Sequence, residues 1–568
     1  MYDLLSSSRT CPRYSHIFDL ICTLKMISYR VISRFSMRVY GVADVACISR
    51  ASACRQLQID TTRLAHTSTK TSQNRARFVI LLRAAIAGSV GAAAFYLTKT
   101  HYAEQALDNI GVYVWGSNRK HITAPGLPDA AVKTPREIPY FHGMELRDLV
   151  LGEDFGVAIS ANGDLLQWGD GYDSTSLIPR VVLSGKKLGS AVISQGKIYA
   201  LTADGDKVYC IPGSKRQQDL GDLEMQDKRW YISMFAFFSR SKTFSALTVP
   251  LSRFEKIKQI AAGDHHMLIL TNKGKVFSCI TGDNPAYSTE GQLGVPILLE
   301  DDEPGGIEPE KLYEIATLRN INIVQLAAGE CHSIVRDDEG HVWSFGSNSH
   351  GQLGFDYTLE TAFIPIPSLL PLDKLYNTRG LADVTCEFVA AGGNTSLFSV
   401  RNRKKNLADL WISGSGLHGQ HGTGRYLHMQ GTPIRVRALS GITEFSESAG
   451  QPTEIPIRYV SVGKNHIAAV LDNVSESGAK VQREFMIWGG NSLFQLGNGR
   501  RSNLPRPTHM HSLISLQTKP EHELEGEELT ALMNSRRQLS AGKTKRGRKV
   551  EETVVCGPEG SAIYWKCT

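Results

Sequence analysis

A four-residue phrase that recurs in the second half of the chain constrains the fold more than any other feature. Its copies occupy residues 291–294, 351–354, 419–422 and, with Phe replacing the first Gly, 494–497. An aromatic, strand-like segment precedes each copy, at 276–278, 342–345, 410–412 and 486–488. Further upstream each unit has a glycine corner, at 263–266, 329–332, 392–395 and 463–466. Each unit therefore predicts a corner, an apolar strand, a polar turn, an aromatic strand and a glycine-rich turn.

A unit of this size cannot bury its own apolar face, so successive copies must pack against one another. A repeat length well above about forty residues, with several short strands per unit, is typical of propeller blades rather than solenoid coils. The chain has 568 residues and 42% hydrophobic content, which is enough for a large buried core. The repeats therefore predict an all-β fold.

Two looser units lie at 149–173 and 187–214, where Asn162-Gly163 and Asp204-Gly205 are hairpin signals. A further unit is divided between the chain ends. Residues 111–118 resemble its second half and residues 555–566 its first half. If these halves pair, no sheet edge is left open at the closure. We therefore predict a seven-bladed β-propeller over residues 111–566, with insertions at about 215–258 and 508–549.

The net charge of +7 comes from the N-terminal segment. Residues 1–77 contain twelve Lys or Arg and four Asp, whereas residues 78–568 contain 51 basic and 52 acidic residues. The basic excess therefore belongs to the leader and not to the folded body. We expect no DNA partner, and we favour an RNA partner less than a protein partner. An Arg-, Ser- and Thr-rich leader with few acids is typical of a mitochondrial transit peptide; a disordered basic tail is the alternative.

Residues 78–98 form a 21-residue apolar segment, long enough to cross a bilayer as one helix. Arg83 lies near one end, where its side chain can reach the interface. A buried helix or an extension of the leader are the alternatives. Arg75 and Arg77 precede the segment, whereas Glu104 and Asp108 follow it. This charge bias predicts a single-pass inner-membrane anchor with the body in the intermembrane space.

The phrases quoted above resemble the regulator of chromosome condensation repeat family, which implies a seven-bladed propeller over about residues 111–566. The family's founder is a nucleotide-exchange factor for a nuclear small GTPase that acts on chromatin. This chain departs from that role because it has a leader and a predicted anchor but no basic chromatin-binding arm. Together these features resemble the fungal mitochondrial branch, which is implicated in assembly of ubiquinol–cytochrome c reductase (respiratory complex III).

No catalytic, metal or cofactor site is predicted. His266, His332 and His466 recur at equivalent positions, which a propeller spreads around the ring, so we expect them to satisfy backbone groups at strand corners. Gln292, Gln352, Gln420 and Gln495 are expected to bond to neighbouring loops. The sequence 541–544 suggests a phosphate loop, but Arg537 stands where that motif requires Gly.

The first insertion contains an aromatic run that propeller repeats do not require. It is a candidate partner or membrane contact through Trp230, Tyr231, Phe235, Phe237 and Phe238. A segment that caps the propeller or adds a strand is the alternative.

The second insertion ends in a basic stretch that follows an acidic one. It is a candidate contact for anionic lipid or RNA through Arg536, Arg537, Lys543, Lys545, Arg546, Arg548 and Lys549. A solvated loop is the alternative.

These features favour a non-enzymatic, membrane-anchored interaction platform whose partners are complex III subunits or assembly factors. The alternatives are a guanine-nucleotide exchange factor for a mitochondrial GTPase, and a factor associated with RNA or the mitochondrial ribosome. Fold likeness alone does not choose between them.

Overall fold

The computed structural model describes residues 110–220, 244–282, 290–295, 308–376, 383–446, 450–472, 482–510, 537–544 and 547–567. All of these residues belong to one compact unit, Thr98–Thr568. The predicted leader (1–77) and predicted anchor (78–98) lie outside the described residues. Within the described ranges, no helix has both the length and the apolar character needed to cross a bilayer.

The N-terminal part of this unit consists of short strands. They are β1 (Val112–Ser117), β2 (Ala131–Glu137), β3 (Leu146–Leu151), β4 (Gly156–Ser160), β5 (Leu165–Trp168), β6 (Arg180–Leu183), β7 (Leu188–Ser194), β8 (Lys197–Thr202), β9 (Val208–Pro212) and β10 (Ser245–Ala246). A four-residue helix, α1 (Asp170–Asp173), follows β5.

The clear repeats supply the middle strands. They are β11 (Ile257–Ala262), β12 (His266–Thr271), β13 (Val276–Ile280), β14 (Tyr313–Glu314), β15 (Ile323–Ala328), β16 (His332–Asp337), β17 (Val342–Ser347), β18 (Phe363–Leu369), β19 (Val384–Gly392), β20 (Thr395–Asn402), β21 (Leu407–Gly416) and β22 (Leu427–Arg435). The predicted aromatic segments lie in β13, β17 and β21, which confirms that part of the pattern.

The remaining elements complete the unit. The strands are β23 (Thr443–Ser446), β24 (Gln451–Glu454), β25 (Ile457–Val462), β26 (His466–Leu471), β27 (Gln482–Gly489), β28 (Leu504–His509), β29 (Gln538–Lys543), β30 (Lys549–Cys556) and β31 (Gly560–Cys567). Short 3₁₀ helices occupy Pro139–Phe141, Ala316–Leu318, Leu372–Tyr376 and Arg437–Leu439.

Most of the strands pair in antiparallel meanders of four. The meanders are β3–β6, β7–β10, β11–β14, β15–β18, β19–β22, β25–β28 and the composite β30–β31–β1–β2. In addition, β23 pairs with β24, and β29 pairs with both β27 and β30. Through β29 and one parallel pair, Leu146 with Lys566, three of the meanders are joined into a 13-stranded sheet.

The composite meander is formed by the two ends of the described chain. In its register Val112 lies opposite Tyr564, and Trp115 lies opposite Ser561. The indole Nε1 of Trp115 also donates to the Gln495 carbonyl at 2.7 Å, so this meander is tied to the preceding one. The predicted pairing between the segments around Trp115 and Tyr564 is confirmed.

The meanders share a common orientation, which gives the unit two faces. The corners between the first and second strands lie at one end, which we call the corner face; the hairpins between the second and third strands lie at the other, the turn face. At the turn face, Gly205 has φ +76°, and its carbonyl accepts from the Ile257 N–H at 2.8 Å. A residue with a side chain rarely adopts that φ, which explains glycine in the hairpin.

The hydrophobic core lies between neighbouring meanders. For example, Leu268 and Val276 of one meander pack with Val335 and Phe345 of the next. The largest buried side chains include Trp115, Trp168 and Trp488. Each meander thus covers the apolar face of its neighbour, as expected for repeats that cannot bury their own apolar faces.

Several consecutive corners contact each other by hydrogen bonds. Ser194 Oγ donates to the Gly263 carbonyl at 2.6 Å. The Asp264 N–H donates to the Glu330 carbonyl at 3.0 Å, and the Glu330 N–H donates to the Gly393 carbonyl at 2.8 Å.

Consecutive corners also approach too closely for side chains at their glycines. A Cβ on Gly393 would lie 2.3 Å from the Lys464 carbonyl oxygen, and one on Gly463 would lie 2.4 Å from the Gly557 carbonyl oxygen. A Cβ on Gly557 would lie 2.6 Å from Leu151 Cβ. A Cβ on Gly152, which follows β3, would lie 3.1 Å from Ile193 Cδ1, so these contacts lead back to β7, which carries Ser194.

Candidate interaction surfaces

The aromatic contact residues Trp230, Tyr231, Phe235, Phe237 and Phe238 lie outside the described residues, and their role stays a prediction. The same is true of Arg536, Lys545 and Arg546. Within the first insertion, residues 215–220 and 244–258 are described, and strand β10 of this insertion pairs with β9.

The described basic residues of the second insertion are partly engaged within the molecule. Arg537 forms an ion pair with the buried carboxylate of Glu552, and its side chain is only 14% exposed. Arg548 lies 3.5 Å from Glu145, and Lys549 is exposed at the start of β30. Lys543 lies in β29. Arg537 therefore stabilises the sheet in this structure, while Arg548 and Lys549 retain access to solvent.

The recurrent histidines join neighbouring meanders. His266 Nε2 lies 2.9 Å from Ser333 Oγ, His332 Nε2 lies 2.8 Å from Ser396 Oγ, and His466 Nε2 lies 2.8 Å from Ser561 Oγ. In each pair the serine belongs to the next meander. Each serine hydroxyl then donates to the carbonyl of a repeated glutamine, Gln292, Gln352 or Gln495.

This bonding pattern assigns the proton on each histidine. Because the serine hydroxyl donates to the glutamine carbonyl, the imidazole Nε2 must carry the hydrogen that the serine accepts. Burial lowers the pKa of His266 and of His332 to about 3, and that of His466 to about 4. These histidines are neutral structural bridges, and their partners are serine hydroxyls rather than the backbone groups we expected.

The repeated glutamines act in two ways. Their carbonyls accept hydrogen bonds from the next meander, as described above, and the Trp488 indole donates to the Gln420 carbonyl at 2.6 Å. Their side chains close their own loops: Gln352, Gln420 and Gln495 each accept from a nearby backbone N–H at 2.8 Å. The bonds that we expected between these glutamines and neighbouring loops are thus made mainly by the backbone carbonyls of the glutamines.

The corners surround a cavity of about 490 Å³ on the corner face. Every meander contributes to its lining, with Gly152, Gly196, Gly263, Gly329, Gly392, Gly463 and Gly557 among the contributing residues. Residues from widely separated parts of the chain therefore meet around one opening, which we call the corner mouth.

Charged side chains follow several of these corner glycines. Lys464 Nζ lies 3.1 Å from Glu153 and 3.8 Å from Glu330, so one ammonium group contacts acids of two other meanders. Burial and the adjacent Glu330 raise the pKa of Asp264 to about 6. The corner mouth carries excess negative charge at neutral pH, because it has more carboxylate groups than ammonium groups.

The described residues hold no candidate metal centre, and two of their buried thiols are unreactive. They contain no group of three or more His, Cys, Asp or Glu side chains placed to hold a metal ion. Burial raises the pKa of Cys279 and of Cys386 to about 12, which makes these thiols poor nucleophiles.

Sequence reasoning did not single out the charged residues of the corner mouth. The signal was present, because Glu153, Asp264, Glu330 and Lys464 each directly follow a corner glycine. Position within a repeat could therefore have identified them, although their mutual contacts could not be read from the chain.

Family models for the regulator of chromosome condensation (RCC1) repeat match residues 257–279 and 323–352, and residues 339–398. The crystal structure of human WBSCR16 is similar in fold, with a TM-score of 0.52 and 18% identity, covering 81% of this chain and 99% of that chain.

Two relatives are mitochondrial by name. Protein FMP25, mitochondrial, of Saccharomyces cerevisiae is 23% identical over 493 residues, which cover 81% of this chain and 73% of that protein. The RCC1 domain-containing protein RUG3, mitochondrial, of Arabidopsis thaliana is 26% identical over 364 residues, covering 62% of this chain and 71% of that protein. The chain therefore contains regulator of chromosome condensation repeats and is similar to these two mitochondrial proteins.

Proposed function

We propose that this chain is a mitochondrial, non-enzymatic interaction platform that assists assembly of respiratory complex III. The leader composition and the two relatives named as mitochondrial support the location. The observation that carries the platform role is the corner mouth, where charged side chains sit on a frame of hydrogen-bonded corners. Side chains on such a frame lose little conformational entropy when a partner binds.

The proposal includes a closed, seven-bladed ring. The circuit of corner contacts and the pairing of β1 with β31 support it. A closed ring has no exposed first or last sheet, and this suits a protein that must present one face to other proteins without aggregating.

The proposal also includes one inner-membrane helix at residues 78–98, with the body in the intermembrane space. Carbonate extraction of mitochondria should leave the full chain in the membrane pellet. Protease added to organelles with a ruptured outer membrane should digest the body. A body that resists protease under those conditions lies in the matrix, and the orientation would be wrong.

Affinity purification of the tagged full chain tests the platform role. We expect complex III subunits or assembly factors to co-purify from mitochondria solubilised in mild detergent, and loss of the protein to stop complex III at an intermediate. Normal complex III assembly in the deletion strain would reject the proposal. Co-purification of a small GTPase whose nucleotide release is accelerated would instead favour the exchange-factor alternative.

A matched pair of charge reversals locates the binding face. Glu153 is 62% exposed at the corner mouth, and Glu339 is 77% exposed in a hairpin of the turn face. Glu153→Lys should reduce recovery of the partner, whereas Glu339→Lys should not. Equal recovery of the partner with both variants would show that the corner mouth is not part of the binding surface.

A further inference from the structure

Phe254 lies in an unusual backbone conformation on the turn face. Residues 252–255 form a tight turn in which the Glu255 N–H donates to the Ser252 carbonyl at 3.0 Å. Phe254 occupies the third position of this turn with φ +63°, and it is 80% exposed. A turn that needs a positive φ at this position favours glycine or asparagine.

Folding stability does not account for phenylalanine at this position. The backbone conformation is strained for a bulky residue, and the exposed ring gains little from burial. Glycine would relieve the strain without loss of a core contact. A strained and exposed aromatic residue therefore indicates a role outside the core.

The turn is held firmly beneath the ring. The Glu255 side chain is completely buried, and its carboxylate accepts from the Ser252 N–H at 3.0 Å and from the Ser252 hydroxyl. Lys275 Nζ lies 3.7 Å from the same carboxylate. These contacts fix the turn, so that Phe254 projects from a rigid base.

Cationic side chains lie beside the ring. The Arg253 guanidinium carbon lies 4.9 Å from the centre of the Phe254 ring, and Lys273 Nζ bonds to Ser252 Oγ at 2.7 Å. Lys256 and Lys258 follow as exposed residues, and Lys256 Nζ lies 3.3 Å from exposed Asp206. The acid within the turn, Glu255, is buried, so the surface presents an apolar tip flanked by Arg253 and Lys273. We call residues 252–258 with Lys273 the Phe254 knob.

The chain enters the described unit on this same face. Val112 pairs with Tyr564, and Lys566 pairs with Leu146 at the turn-face end of β3. The predicted membrane span ends at residue 98, and residues 99–109 connect it to Ile110. Eleven residues reach at most about 40 Å when fully extended, so a membrane anchor would limit the distance between the bilayer and Ile110 to about 40 Å.

We propose that the Phe254 knob docks on an anionic lipid surface, with the ring in the headgroup region and the cations on the lipid phosphates. An apolar tip with basic neighbours is the chemistry of interfacial binding. Single-stranded RNA would instead require successive aromatic platforms along a groove, and the knob has one ring. The inference rests on the proposed anchor for its geometry, and it adds a second membrane contact.

Photocrosslinking of the full chain in its own membranes tests the proposal. Phe254→p-benzoylphenylalanine should yield phospholipid adducts on irradiation. The matched control is Leu359→p-benzoylphenylalanine, because Leu359 is 91% exposed but lies in the connection between β17 and β18 that starts at the corner face. Adducts from position 254 to RNA, to another protein or to residues 221–243 of the same chain would overturn the proposal, as would equal lipid adducts from both positions.

A second measurement uses the full chain in vesicles of phosphatidylcholine with or without cardiolipin. Tryptophan in Phe254→Trp should be quenched by bromine-labelled acyl chains when cardiolipin is present. Adding Lys256→Gln or Lys273→Gln should lower the ratio of docked to undocked protein about fivefold each, because one basic residue near an anionic surface contributes about 1 kcal/mol. Unchanged quenching in both lysine variants would refute the role of charge.

Phe254→Gly separates docking from folding. The variant should keep or raise the melting temperature, and its turn face should become accessible to protease in cardiolipin vesicles. A lower melting temperature would show that Phe254 serves the fold. Carbonate extraction reports on the anchor independently, so failure of the knob and failure of the anchor give different results.

Discussion

At the residue scale, burial decides how individual charges affect stability. Asp264, which lines the corner mouth, and the buried bridging histidines respond to pH in opposite directions. A carboxyl group whose pKa is raised destabilises the fold once it ionises, whereas a histidine whose pKa is lowered destabilises it once the solution becomes acidic.

Asp264→Asn should stabilise the protein at neutral pH. The pKa of Asp264 is raised to about 6 from an ordinary value of 3.8, so the folded state binds the extra proton between these values and stability falls as pH rises through them. We expect a gain of about 1 kcal/mol at about pH 7.5, after allowance for solvent screening, and little change at about pH 4. Urea unfolding at both pH values checks this, and an equal gain at both would contradict it.

His332→Gln should weaken the dependence of stability on acid. The pKa of His332 is about 3 in the fold and 6.5 ordinarily, so the unfolded chain binds the extra proton between these values. The unfolding free energy therefore falls as pH drops below about 6.5. Because the variant lacks this histidine, it should take up about one proton fewer on unfolding in acid, and its unfolding free energy should depend less steeply on pH. Unfolding free energies measured at about pH 7.5 and about pH 5 give the slope; parallel curves for variant and wild type would refute it.

At the element scale, stability depends on the bonds between meanders. Ser396 is fully buried on β20, where it accepts from His332 at 2.8 Å and donates to the Gln352 carbonyl at 2.6 Å. Its hydroxyl thereby connects β16 and the phrase at 351–354 with the next meander.

Ser396→Ala should cost about 2–4 kcal/mol of unfolding free energy, because two buried groups lose their partner. Ser368→Ala is the control, since the Ser368 hydroxyl bonds the Ile366 carbonyl at an exposed site on β18. That change should stay within about 0.5 kcal/mol. Similar losses in the two variants, measured by chemical denaturation, would mean that the bridge contributes little.

At the scale of the whole molecule, the composite meander joins the chain ends. Two circular permutants test its importance, each with residues 567 and 110 joined by a short turn. New ends at residues 473–481, between β26 and β27, again divide one meander. New ends at residues 377–382, between β18 and β19, leave every meander continuous, so no sheet pairs the first strand with the last.

We expect the permutant opened at 473–481 to retain most of the wild-type melting temperature and the one opened at 377–382 to melt lower. The physical reason is that a divided sheet would hold the proposed ring closed through its ladder of hydrogen bonds, whereas two intact neighbours are joined by side-chain packing and a few separate hydrogen bonds. Calorimetry of both proteins gives the comparison. Equal melting temperatures would show that the composite meander is dispensable.

Much of the fold follows from local signals in the chain. Glycine hairpins, alternating apolar strands and the complementary ends at 111–118 and 555–566 predicted the strands and the β1–β31 pairing. The candidate surfaces were less predictable. The basic stretch near residue 549 was identified from composition, yet Arg537 pairs with buried Glu552, a contact that composition does not reveal.

The sequence by itself determined the repeat, the turns and the strands, because each depends on backbone preferences and hydrophobic alternation within a few neighbouring residues. Only the tertiary structure decided the partners of the buried histidines, the contact of Lys464 with Glu153 across 311 positions, and the strained exposure of Phe254. These features depend on how separate meanders meet in space, and no local preference encodes a distance between residues that are remote in the chain.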